Sequence, residues 1–129
     1  VTQGLPALLR AQKLGKRAAR VGFDWPDAAG ARENVAEELG ELAQAEAGAV
    51  SAAVEEELGD VLFAMANLAR TLGVTPEEAL RRANGKFEQR FRQVEESVSA
   101  VGGDWSACDL EGLDALWERA KARDISPAE

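Results

Sequence analysis

The sequence predicts an all-α protein, an antiparallel bundle of about four to five helices, on three observations. Ala, Leu, Glu and Arg dominate the composition, Tyr is absent and β-branched runs are scarce, which favours helix over strand. Apolar residues recur at spacings of three and four through several long stretches. Gly22, Pro26, Gly48, Gly73 and Gly102-Gly103 fall between those stretches, where they punctuate the chain. At 129 residues the chain has the length of a single domain, taken as residues 1–129, and can bury a real core.

The first helix is expected from Leu5 to about Arg20. Ala7, Ala11, Leu14, Ala18 and Val21 form one stripe along it and Arg10, Lys13, Arg17 and Arg20 another. Gly22 and the segment Phe23-Asp24-Trp25-Pro26 end it, because Pro keeps the preceding residue out of helix. A second helix runs from roughly Ala28 to Ala47, closed by Gly48. A linker reaching only to about Ser51 makes the third helix, Ala52 to Leu72, antiparallel to it. Gly73 suits the C-terminal cap of the third. Thr75-Pro76-Glu77-Glu78 is the clearest boundary: an N-cap, a Pro at the first helical position and a Glu that completes a capping box. The fourth helix carries Leu80, Ala83, Phe87, Phe91, Val94 and Val98 and stops at Gly102-Gly103. Past a loop around Trp105, a last amphipathic helix holds Leu110, Leu113, Leu116 and Trp117, and the tail from Asp124 to Glu129 is expected to fray.

Within the second and third helices two segments nearly repeat each other, Glu38-Leu39-Gly40-Glu41-Leu42 and Glu57-Leu58-Gly59-Asp60-Val61. Each places two carboxylates three residues apart, hence on neighbouring turns of one helix face. From Glu33 to Ala69 the chain holds nine acidic residues and no Lys or Arg. An acidic run usually marks a solvated face, opposite the buried one. Here the angles disagree with that. Taking Glu57 as zero, Val54, Val61, Met65, Leu68 and Leu72 fall within roughly 80° on one side and Asp60 about 60° on the other. Val35, Leu39 and Leu42 flank Glu38 in the same way, with Glu41 opposite. Carboxylates at the edge of a core, with no base beside them, require a cation or raised pKa values. An all-oxygen set on two facing helices suits a hard ion such as Mg²⁺. Gly40 and Gly59 inside these helices each cost about 1 kcal/mol relative to Ala, which a close approach of the two helices would explain.

Composition removes other chemistries. Without His there is no imidazole base, no histidine-ligated zinc and no Glu-x-x-His di-iron site. The single Cys108 forms no intrachain disulfide or zinc cluster and reads as a small, partly buried residue. A net charge of −8 argues against nonspecific nucleic-acid binding. No apolar stretch approaches the roughly 20 residues that span a bilayer, and no signal peptide opens the chain, so a cytoplasmic protein without membrane contact is expected. The bases collect elsewhere, at Arg81, Arg82, Lys86, Arg90 and Arg92 of the fourth helix. Arg81, Arg82 and Arg92 read as surface ion-pair partners of Glu77, Glu78, Glu88 and Glu95. Lys86 and Arg90, at i,i+4 on one face, read equally as such partners or as a phosphate-binding wall.

Glu37-Glu38-x-x-Glu41 followed by Glu57-x-x-Asp60 resembles the signature of the all-α nucleoside triphosphate pyrophosphohydrolases. The run Glu55 to Phe63 followed by Asn67-Leu68-Ala69-Arg70 is similar specifically to the MazG branch. So are Leu5-Pro6-Ala7-Leu8 with Ala11-Gln12-Lys13, Val21-Gly22-Phe23-Asp24-Trp25, and Ala83-Asn84-Gly85-Lys86-Phe87-Glu88. The resemblance extends from about Leu5 to Lys121.

It implies hydrolysis of NTP or dNTP to the nucleoside monophosphate and pyrophosphate, a house-cleaning activity on nucleotide pools. By position it implies Glu38, Glu41, Glu57 and Asp60 as Mg²⁺ ligands, with Mn²⁺ as a substitute. Lys86 and Arg90 would contact the triphosphate, and Asn84 and Trp117 would line the nucleotide site, although Trp117 by itself reads equally as core. Glu37 or Glu38 would accept the proton of the attacking water, with Lys86 as the catalytic cation. Two positions depart from the pattern: Asn34 and Ala53 stand where family members often carry a base. Many relatives hold two such domains, and this chain, starting abruptly at Val1, resembles the second, as a fragment or a stand-alone form. Alternatives are a dUTPase-like or phosphoribosyl-ATP pyrophosphohydrolase of the same fold, or a catalytically silent helical interaction module. A small helical protein with its site on an exposed bundle face is expected to complete its core as a homodimer.

Overall fold

Five α-helices organise residues 1–124, the part of the chain that the computed structural model describes: α1 (Ala7–Arg20), α2 (Ala28–Gly48), α3 (Ser51–Thr71), α4 (Pro76–Ala100) and α5 (Leu110–Arg123). A single 3₁₀ turn covers Trp105–Ala107, and no strand occurs among the described residues. The all-α expectation holds. Of the tail expected to fray, Asp124 caps α5 and residues 125–129 lie outside the described residues.

Local chemistry sets most helix ends. Asp27 caps α2 by accepting from the Gly30 N–H at 3.0 Å, and Asp109 caps α5 by accepting from Gly112 at 2.7 Å. Pro76 opens α4 at its first position. α1 starts at Ala7, two residues later than its stripe suggested, because Leu5 precedes Pro6 and Pro6 itself is extended, with ψ 142°. Three helices end on a left-handed glycine. At α3, Gly73 (φ 73°) donates to the Arg70 carbonyl and Val74 to that of Ala69, so two orphan carbonyls are satisfied at once. Gly22 after α1 and Gly102 after α4 repeat the arrangement. α2 departs from expectation. Gly48 is its last helical residue, and the left-handed position falls on Ala49 (φ 56°), a conformation that disfavours Ala.

The contacts divide the chain into two compact units, Val1–Leu80 and the residues from Arg81 onward. In the first, α2 packs along α3, and their two-residue link makes them antiparallel; α1 lies on α3. Ala31, Val35, Val61, Ala64 and Ala66 are buried there. Full burial of each Val contributes about 1.5–3 kcal/mol. The buried rows run one position aside from those read off the sequence. Val61 and Ala64 are 7% and 2% exposed, whereas Met65, Leu72 and Leu39 are 47%, 52% and 50% exposed. The correction matters for the acids. On α2 the row that begins with buried Ala31 and Val35 runs on through half-buried Glu38 and Leu42, and on α3 half-buried Glu57 and Leu68 flank buried Val61 and Ala64, so Glu38 and Glu57 lie in line with the buried rows and do not merely border them.

In the second unit Val94, Val98 and Ala120 are buried. Phe87 stacks on Phe91 with ring centroids 5.9 Å apart and meets Trp117 at 5.2 Å, while Phe91 stacks on Trp105 at 5.8 Å. Among the described residues no helix is long and apolar enough to cross a membrane.

The expected close approach at Gly40 and Gly59 does not occur: a Cβ at either position would meet nothing within 4 Å. The close approach is at Gly15 of α1, where a Cβ would collide with Asn67 Oδ1 and lie 3.1 Å from Arg70 Nε. Opposite responses to Ala follow. Gly59→Ala and Gly40→Ala should each stabilise the fold by about 0.5–1 kcal/mol through helix propensity. Gly15→Ala should destabilise it by about 1–3 kcal/mol, because Asn67 and Arg70 must move. Chemical denaturation of the three variants checks both signs.

Candidate metal centre

Two helical turns of α2 and two of α3 bring the acids together. Glu38, Glu41 and Glu57 each place a carboxylate oxygen so that the three atoms lie within 4.8 Å of one another. Glu38 and Glu57 are half-buried, and Glu41 is exposed at the rim. The Oε2 atoms of Glu38 and Glu57 are buried without a hydrogen-bond partner. Asp60 stands outside the group of three but close enough for its charge to act on both Glu38 and Glu57. Loss of solvent is the largest cause that raises the pKa of Glu38 and Glu57 above the ordinary carboxylate value, and the charge of Glu41 is the next. No Lys or Arg of α2 or α3 relieves that repulsion within this stretch. Desolvated oxygens that face one another without donors form a donor set for a hard divalent cation, and the residues present fit one. Glu37, the other candidate proton acceptor, is exposed on the adjoining face of α2.

The same unit holds a cavity of about 400 Å³, walled by α1, the loop after it, and the α2–α3 pair. Leu14, Gly15, Phe23, Trp25, Phe63 and Asn67 contribute to its wall, as does Asn34. Across it runs a paired contact that joins two sequence motifs 46 residues apart. Arg70 donates from Nη2 to Asp24 Oδ1 at 2.6 Å and from Nη1 to Oδ2 at 3.0 Å. Arg70 holds the Asp24 carboxyl below its ordinary value, chiefly through this hydrogen bonding. Neither the ion pair nor the role of Gly15 was legible from spacing. Asp24 and Arg70 belong to motifs, but no periodicity links a loop residue to a helix so far along the chain.

The remaining candidates lie in the second unit. Lys86 and Asn84 are exposed, and Asn84 lines an open cleft of about 520 Å³ with Phe87 and Phe91. Arg90 forms an ion pair with Asp124, a partner that the sequence did not suggest, and its guanidinium lies 5.7 Å from the ring centroid of Trp117. Trp117 is thus half-buried, packed by Phe87 on α4. Arg92 pairs with Glu88 at 3.2 Å across one helical turn, the surface ion pair expected of it.

Residues 28–95, more than half of the chain, match the family described as the MazG nucleotide pyrophosphohydrolase domain. The chain is 46% identical over 127 residues to a protein of Escherichia coli K12 named nucleoside triphosphate pyrophosphohydrolase, an alignment that covers 97% of this chain and 48% of that protein. It is 43% identical over 120 residues to the Thermotoga maritima nucleoside triphosphate pyrophosphohydrolase/pyrophosphatase MazG, covering 93% of this chain and 46% of the other. A Bacillus subtilis protein named uncharacterized protein YabN is 43% identical over 68 residues, 53% of this chain and 14% of that one. The chain thus spans about half the length of the first two relatives.

The raised and lowered carboxyls give the metal-free protein a stability curve with two arms. Glu38 and Glu57 hold protons in the folded state at pH values where the unfolded chain has released them. Their contribution is therefore present at and below the ordinary carboxylate range and is lost as pH rises through their raised values. Asp24 acts oppositely: its contribution is present above the ordinary Asp range and is lost as pH falls through its lowered value. Thermal denaturation in EDTA should show melting temperature declining on the alkaline side of the Glu range. Combining Glu38→Gln with Glu57→Gln should flatten that decline, and Asp24→Asn should make the acid arm shallower without touching the alkaline one, leaving the part that Asp104 contributes through its hydrogen bonds from Ser106.

Proposed function

Since this chain belongs to the MazG nucleotide pyrophosphohydrolase domain family, we propose that it hydrolyses nucleoside triphosphates, ribo or deoxy, to the monophosphate and pyrophosphate in the cytoplasm. Glu38, Glu41, Glu57 and Asp60 hold the divalent cation that this requires. The observation that carries the reading is the pair of buried, partnerless oxygens on Glu38 and Glu57, which a silent interaction module would have no reason to keep. The donors are all carboxylate oxygens, which suits Mg²⁺ and tolerates Mn²⁺. When bound, such an ion supplies Lewis acidity to phosphate oxygens and makes water more acidic. Glu37 or Glu38 takes the proton of the attacking water, so the absence of His is no obstacle. The resemblance in sequence supports Lys86 and Arg90 as the cations on the triphosphate and Asn84 and Trp117 as residues that line the nucleotide site.

The homodimer belongs to the same proposal. Leu58, Leu62 and Met65 follow one another along α3 at helical spacing, and Leu62 is 54% exposed. A second copy covering this face would remove from water an apolar row that a monomer leaves wet. Light scattering should return twice the chain mass, and Leu62→Glu should return it once.

Calorimetric titration with Mg²⁺ or Mn²⁺ tests the centre directly. Binding should be present in the wild type and absent or severely weakened in Glu57→Gln, which keeps the shape and removes a charge. Mg²⁺ should raise the melting temperature by several degrees, beyond the effect of NaCl at equal ionic strength, because binding adds to the screening that salt alone provides. Equal stabilisation by both salts would return the acids to a solvated face. Hydrolysis, followed by pyrophosphate release across the common NTPs and dNTPs, should fall by orders of magnitude in Glu57→Gln. Lys86→Ala should lower kcat/KM severely while leaving Mg²⁺ binding intact, since it removes an anion contact and no metal donor.

A further inference from the structure

The positive charge of α1 takes no part in the chemistry proposed above. Residues 1–23 hold five cations and no acid, in a chain whose net charge is −8. Lys13, Lys16, Arg17 and Arg20 recur at i, i+3, i+4 and i+7, so they fall within about 100° of the helix circumference and span about 10 Å of its length. The buried Gly15, set against Asn67 and Arg70 of α3, lies about 150° from the middle of that arc, so the cations face solvent. All four residues are exposed, and among the described residues none of them has an ion-pair partner. Arg70, Arg90 and Arg92, by contrast, are each matched by a carboxylate.

The fold itself gives little reason for this face. Like charges at i,i+3 and i,i+4 repel and destabilise a helix. The helix dipole favours Arg17 and Arg20 in the last turn but gives Lys13 and Lys16 no such support. Solubility does not call for them, since cations bring a net charge of −8 nearer to zero. The face is suited to negative charge from outside the fold. A second observation lies at its C-terminal end. Val21 and Phe23 are 84% and 81% exposed, more than any other large apolar residue among those described. The left-handed Gly22 (φ 87°) turns the chain there, and the N–H groups of Gly22 and Phe23 donate back to the carbonyls of Ala19 and Ala18. An apolar anchor beside a charged rim is the make-up of a protein-recognition surface.

Size and charge choose the partner. A nucleic-acid duplex or an anionic bilayer spreads its charge far beyond about 10 Å, and would bring it against the acids that make the chain negative overall. A short polypeptide segment can touch the arc alone, with carboxylates on the cations and an apolar side chain against Val21 and Phe23. We propose that the exposed face of α1 and its following turn, from Lys13 to Phe23, is a docking surface for an acidic segment of a partner protein that carries apolar residues among its carboxylates. The surface is independent of the reaction proposed above.

The test uses the full chain and, as probe, a fluorescein-labelled peptide of Glu with interspersed Leu, followed by fluorescence anisotropy. The peptide should bind, and added NaCl should weaken the complex, because its ion pairs are exposed. Combining Lys13→Glu with Arg17→Glu, checked for folding by circular dichroism, should weaken binding about ten-fold or more. Phe23→Ser should weaken it several-fold without changing the charge. On titration of the wild type, amide chemical-shift changes should concentrate between Lys13 and Phe23, a result that decides the case even where a variant does not fold. Absence of binding, or shift changes centred elsewhere on the chain, would overturn the proposal. Tighter binding of a single-stranded oligonucleotide or of phosphatidylglycerol vesicles at this face would overturn it too, in favour of a nucleic acid or a membrane.

Discussion

The unit formed by Val1–Leu80 is organised around a conflict between packing and charge. Ala31 and Val35 on α2, and Val61 and Ala64 on α3, are buried, and the rows they form continue straight into Glu38 and Glu57. Packing those rows removes water from two carboxylates that face each other and Glu41, with no Lys or Arg between Glu33 and Ala69 to answer them. A soluble fold selected only for stability would place Lys, Arg or apolar groups there. The raised pKa values of Glu38 and Glu57 are the mark of that unrelieved repulsion, and a cation is the simplest group that removes it.

The same unit resolves the half-buried charge of Arg70 in the opposite way. Arg70 sits inside the wall of an apolar cavity, but Asp24 meets it with paired hydrogen bonds, so the charge is cancelled internally. Gly15 makes room for this arrangement by leaving no Cβ where Asn67 and Arg70 converge. Thus one region of α2 and α3 gathers acids without a base, and the neighbouring region is neutral and shaped. In the second unit Arg90 is likewise compensated by Asp124 while it lies over Trp117, and Lys86 keeps an exposed ammonium.

Helix identity was legible because it is written in local terms. The three-four spacing of apolar residues, Pro76 at a helix start and Gly22, Gly73 and Gly102 at helix ends each act through a few neighbouring residues. The acid pairs were legible for the same reason, since i,i+3 carboxylates share a face wherever the helix packs. The rotation of each helix was read less well. Met65, Leu72 and Leu39 fit the apolar stripe by angle, yet the small residues Ala64 and Ala66 are buried in their place, because helices approach closely where side chains are short. Gly40 and Gly59 looked like contact points on similar grounds and face open space.

The sequence by itself determined an all-α chain, most of the helix ends, the deficit of positive charge between Glu33 and Ala69, and a resemblance specific enough to name a family. Those features depend on neighbours along the chain or on motif identity. Only the tertiary structure decided that Glu38 and Glu57 lie in line with the buried rows, that Asp24 reaches Arg70, that Gly15 is the tight contact, and that Trp25, Phe63, Asn34 and Asn67 wall one cavity. Each of these depends on how α1, α2 and α3 are turned toward one another. That turn minimises voids and buried unpaired charge over the whole unit at once, and no local spacing encodes it.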